Sequence, residues 1–113
     1  MLNDIQKEWV AALRSGQYKQ GKGLLRDKND NFCCLGVLCE ILAQKGKIPS
    51  AELKLSFESD IYAYDGRWKF LPNSVEVLTR VGETNELMRM NDSGESFDKI
   101  ADYIESEPEG LFV

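Results

Sequence analysis

Apolar residues recur at helical spacing from the start of the chain. Ile5, Trp9, Ala12 and Leu13 predict a helix over 3–15, opened by a capping box of Asn3 and Gln6 and stopped at Ser15-Gly16. Leu24-Leu25-Arg26 and Phe32-Cys33-Cys34-Leu35 flank the polar Asp27–Asn31, which predicts a hairpin with both faces buried. Gly36 to Lys45 reads as a second helix, with Val37, Leu38, Ile41 and Leu42 inward and Gly46 ending it. Alternation at Leu53, Leu55 and Phe57 predicts a half-buried strand. A second hairpin is expected where Tyr62-Ala63-Tyr64 and Arg67-Trp68-Lys69-Phe70 flank Asp65-Gly66. Pro72 to Arg80 predicts a third helix, with Val75, Leu78 and Val81 inward and Gly82 closing it. Leu87 to Met90 fits neither period. Ser96 caps a last helix over 97–106, whose stripe is Phe97, Ile100, Ala101 and Ile104.

Helices and antiparallel hairpins interleave without a regular βαβ repeat, so the expected class is α+β: a single domain over 1–113, with one small sheet packed by three to four helices. The 113 residues are enough for one core and too few for two domains. Met1-Leu2-Asn3-Asp4 brings an early acid and no apolar stretch, so no secretory signal is expected. The longest apolar run, Phe32 to Cys39, is far too short to span a membrane, and a cytoplasmic protein is expected. No long heptad pattern exists, so the sequence does not reveal the oligomeric state.

Charge changes this picture through its distribution. The net charge is −5, which argues against general nucleic-acid binding. Residues 1–54 carry nine bases and six acids, whereas 55–113 carry five bases and thirteen acids. Such a dipolar chain could steer a partner or satisfy itself within the fold.

Chemistry is constrained more sharply. With no histidine, Ser-His-Asp and Cys-His nucleophile pairs are excluded, as is any zinc site that needs imidazole. Asp27-Lys28-Asn29-Asp30-Asn31 opens like an EF-hand. Phe32 replaces the required glycine, however, and Leu38 the closing acid, so a turn explains these residues better. Cys33, Cys34 and Cys39 are thiol candidates, since a helix N-terminus near Gly36 could lower a thiol pKa. Their odd number and C-C-x4-C spacing fit neither a paired disulfide framework nor a zinc ribbon, and reduced core cysteines are the plainer reading.

Arg14, Tyr18, Gln20, Lys22 and Arg26, with Gly21 and Gly23 among them, form a donor-rich stretch suited to an anion, although it is no P-loop. A solvated basic loop explains the same residues. Asn91 and Asp92 precede Gly94 and the cap Ser96, as Asx turns do. Asp98 and Asp102 stand on the acidic last helix. No catalytic residue, cofactor or metal is assigned.

Several strings together resemble a family of small, functionally unassigned proteins of tailed phages and prophage regions. They are Trp9-x-x-Ala12-Leu13-Arg14-Ser15-Gly16-x-Tyr18-x-Gln20-Gly21, Leu25-Arg26, Phe32-Cys33-Cys34-Leu35-Gly36-Val37-Leu38-Cys39, Leu71-Pro72, and Asn91-Asp92-x-Gly94-x-Ser96-Phe97-x-x-Ile100-Ala101-Asp102-x-Ile104-Glu105. Met90 stands where the resemblance leads one to expect leucine. The resemblance implies a viral accessory protein and no particular activity. The leading expectation is a non-enzymatic protein that binds a host protein through its acidic last helix or its Arg14–Lys28 edge. The alternatives are capture of an anionic, nucleotide-like small molecule by Arg14, Tyr18, Gln20, Lys22 and Arg26, and thiol or metal chemistry at Cys33, Cys34 and Cys39.

Overall fold

The computed structural model describes residues 1–55 and 60–113. Five helices and four short strands follow one another as α1 (Asp4–Arg14), β1 (Lys19–Gln20), β2 (Asn31–Phe32), α2 (Cys34–Gln44), β3 (Glu52–Lys54), β4 (Ile61–Ala63), α3 (Asn73–Thr79), α4 (Asn85–Asp92) and α5 (Phe97–Glu105). The class is α+β, and a single hydrophobic cluster draws buried side chains from α1 through the C-terminal Leu111.

Local chemistry explains the helices. The Asn3–Gln6 capping box forms in both directions and opens α1, and Gly16 follows its end at φ +78°. Gln6 is itself buried and donates to the Thr79 carbonyl at 2.8 Å, so the N-terminus of α1 satisfies the C-terminus of α3. The Trp9 indole N–H donates to the Cys34 carbonyl at 2.9 Å, joining α1 to α2. α2 begins at Cys34, two residues before the predicted start, and Gly36 therefore lies inside it. A Cβ at Gly36 would overlap the Leu25 carbonyl oxygen and lie 2.6 Å from its carbon, so only glycine lets the two segments touch.

The strands depart further from the pattern. They form two separate pairs rather than one sheet. β1 pairs with β2 in parallel, Lys19 opposite Asn31, and β3 pairs with β4 antiparallel, Leu53 opposite Tyr62. The reversal at Asp27–Asn31 exists, but its antiparallel pairing is a single bridge between Arg26 and Phe32. Leu25 instead donates its N–H to the Trp68 carbonyl at 2.8 Å. That same bond draws Trp68 away from the second predicted hairpin. Tyr64 and Arg67 exchange two bonds around Asp65-Gly66, and β4 finds its strand partner in β3. β3 is exposed throughout rather than half-buried, and Phe57 lies outside the described residues.

α3 buries Val75 and Thr79 and leaves Leu78 about half exposed, so Leu78 does not face the core as expected; Val81, beyond the helix, is buried. The helix ends at Arg80 in the left-handed conformation, φ 60°, before Gly82 is reached. Gly82 serves the C-terminal segment instead. It donates its N–H to the Leu111 carbonyl at 2.6 Å, and a Cβ there would lie 2.7 Å from a Val113 methyl. The unassigned stretch around Leu87 is α4. Its inward positions are Leu87 and Asn91, and a polar residue in an apolar slot hides the helical period.

Candidate functional site

The residues singled out by the sequence fall into three places. The first is a polar junction centred on Asn91, which is fully buried. Its Oδ1 accepts from the Cys34 N–H at 3.2 Å, at the start of α2, and from Gln20 Nε2 at 3.1 Å. Its Nδ2 donates to the Gly21 carbonyl at 2.8 Å. Gln20 also donates to the Glu95 carbonyl and accepts from the Phe97 N–H at 3.1 Å, satisfying the first residue of α5. Asp92 accepts from the Gly23 N–H at 3.0 Å. Gln20, Asn91 and Asp92 thus stitch the 20–23 segment to three helices, and no polar side-chain atom buried among the described residues is left without a partner.

The second place is the charged surface. Arg14 contacts both Asp102 and Glu105, tying the end of α1 to α5. The hydrogen bonds it donates to these two carboxylates, Asp102 first, raise its already high pKa. Arg26 pairs with Asp30 at 2.8 Å and approaches Glu40 at 3.7 Å, with its guanidinium 4.2 Å from the Tyr62 ring centre and 5.3 Å from that of Phe32. Tyr64 is fully buried and donates its hydroxyl to Glu40 at 2.8 Å; burial first, then that carboxylate, push its pKa up. Tyr18 stands edge-on to Phe32 at 5.1 Å. Arg14, Tyr18 and Gln20 line one open groove of about 250 Å³ with Asp98, while Lys22 and Arg26 do not line it. The five donors therefore do not converge on one point.

The third place is the cysteine cluster. All three thiols are free and buried. Burial pushes Cys33 up to about 11 and Cys34 and Cys39 well above the ordinary value. The N–H groups of Gly36 and Leu35 act on Cys33 in the expected direction, but desolvation outweighs them. The Cys34 thiol contacts the Leu87 carbonyl at 3.7 Å. Among the described residues no three Cys, Asp or Glu side chains converge as metal ligands.

The pattern along the chain predicts a fourth place only as the second arm of a hairpin. Outside any strand, Arg67-Trp68-Lys69-Phe70 is an exposed strip around an apolar pocket of about 190 Å³. Trp68 and Phe70 are 49% and 51% exposed, which for large rings is the exception in a small domain. Among the described residues no carboxylate lies within 4.0 Å of Arg67 or Lys69, in contrast to Arg14, Arg26 and Arg89. The readable signal was the strict alternation of cation and aromatic ring. Lys69 also reaches a narrow crevice shared with Cys33, Asn91 and Asp92, so the strip borders the polar junction.

No helix among the described residues is long and apolar enough to cross a membrane. Comparison with curated proteins and with solved structures returned no match. The match to a family model, by contrast, runs over residues 1–108, from the capping box through α5 and across both the polar junction and the exposed strip. The chain belongs to the family described as a domain of unknown function, DUF8296.

Proposed function

We propose that the chain is a non-enzymatic accessory protein of phage origin that acts in the host cytoplasm by binding a host protein. One observation carries this reading: the Arg67–Phe70 strip exposes two large rings beside two cations, whereas Arg14 and Asp92 are bonded internally. Half-exposed aromatic residues beside cations are the usual energetic anchors of protein interfaces. The contact surface therefore moves from the acidic last helix to this strip. Asp102 is held by Arg14, so its charge serves the α1–α5 contact.

The reading of an anionic, nucleotide-like ligand has less support, because Arg14 already meets two carboxylates and Arg26 is stacked between rings. Thiol chemistry has less still, since burial disfavours every thiolate.

The test is native mass spectrometry of tagged protein captured from host lysate, comparing the wild type with Trp68→Ala/Phe70→Ala. A stoichiometric host protein on the wild type, absent from the variant, is the expected result. A bare chain in both samples, or a bound small molecule of a few hundred daltons in its place, would count against the reading.

A further inference from the structure

The half of the chain that holds the strip is strongly acidic, with five bases against thirteen acids over 55–113. Two of those five bases have partners close in sequence: Lys99 pairs with Glu95, just before α5, and Arg89 with Glu86 within α4. Two others, Arg67 and Lys69, stand on either side of Trp68 and have no carboxylate within reach among the described residues. Two cations thus flank the exposed rings, in the more acidic half of the chain.

The rings are presented on a held backbone. Tyr64 and Arg67 exchange hydrogen bonds of 2.7 and 2.9 Å on one side, and the Trp68 carbonyl accepts from Leu25 on the other. Leu71, immediately after Phe70, is buried and anchors the far end. A partner would therefore lose little conformational entropy in ordering the strip.

From these features, and resting on the protein-binding reading above, we infer that the strip docks an acidic segment of the partner, an apolar side chain entering the Trp68–Phe70 pocket while flanking carboxylates meet Arg67 and Lys69. Charge complementarity selects this occupant. The chain's net charge of −5 disfavours a polyanion as long as a nucleic acid, whereas a short acidic segment meets the two cations alone. A second copy of the chain would bring its own net charge of −5 against an equal net charge.

The experiment is selection from a displayed library of random dodecapeptides, followed by fluorescence anisotropy of the enriched sequences. Asp and Glu should flank an aromatic or aliphatic residue in the enriched set, with affinity falling several-fold as ionic strength rises from about 0.05 to about 0.2 M. Trp68→Ala/Phe70→Ala should weaken binding by about tenfold or more, and Arg67→Glu/Lys69→Glu should reverse the selected charge. Circular dichroism and thermal melting of both variants establish that they fold. Enrichment of sequences without acids, equal binding by the ring-deleted variant, or no enrichment at all would overturn the inference, as would tighter binding of oligothymidylate than of any peptide. These results leave the host-protein reading to its own test, since lysate capture also reports folded partners.

Discussion

Two parts of this chain hold only short strands, Lys19–Phe32 and the described residues of Glu52–Phe70, and they differ in how they place their large apolar side chains. In the first, Gln20, Asp27 and the backbone of Gly21 and Gly23 are all bonded, largely to α4, α5 or each other. In the second, Leu53, Leu55, Trp68 and Phe70 are exposed, and the charges of Arg67 and Lys69 meet no carboxylate among the described residues. Irregular backbone is common to both, so irregularity by itself says nothing about function. What separates them is whether the large apolar groups have already found partners inside the fold.

Substitutions can break this contrast from either side. Gly36→Ala should have the largest effect, because a methyl there overlaps the Leu25 carbonyl where the first stretch crosses α2. A loss of about 4 kcal/mol or more is expected, enough to unfold much of a marginal domain, and urea titration followed by circular dichroism would read it. Asn91→Ala comes next. It leaves the Cys34 N–H and the Gly21 carbonyl without their partner, at a cost of roughly 3 kcal/mol in the same titration.

The buried thiols give a pH dependence with a definite sign. Cys33 is raised from 9.0 to about 11, so above pH 9 the unfolded chain loses its proton first. Its contribution to stability is complete below that point. It falls by about 1.4 kcal/mol per pH unit until the folded thiol also ionises near 11. Denaturation under reducing conditions across this range should show the decline, and Cys33→Ala should make it shallower. The smallest effect belongs to the second stretch. Trp68→Ala/Phe70→Ala should cost about 2 kcal/mol or less while removing partner capture, a separation of folding from binding that no substitution at Asn91 can give.

The helices were legible where cap and stripe agreed, as at Asn3–Gln6 with Trp9 and Leu13, or at Ser96 with Ile100 and Ile104. α4 was illegible because Asn91 occupies an apolar position, and its role appears only when segments seventy positions apart are brought together. Strand pairing failed for a related reason. Asp27–Asn31 and Asp65-Gly66 were correctly read as reversals, but the partners of the flanking segments were set by distant backbone groups, Leu25 with Trp68 and β1 with β2. At the candidate sites, residue type identified good hydrogen-bond donors, yet it could not tell an available donor from one already engaged. The exposed strip carried a visible alternation that was absorbed into a hairpin expectation.

The clasp between α1 and α5 also has a consequence for synthesis. Arg14 meets Asp102, 88 positions later, and Trp9 and Leu13 share one core with Ile100 and Ile104. At about 5–20 residues per second, the ribosome takes roughly 4–18 s to deliver the second partner after the first. For roughly 3–12 s of it α2, apolar on almost every side, is complete without the last helix that finishes the core. Slowing translation near the Asn91-Asp92 junction should therefore lower the soluble yield of this protein, even with every residue unchanged.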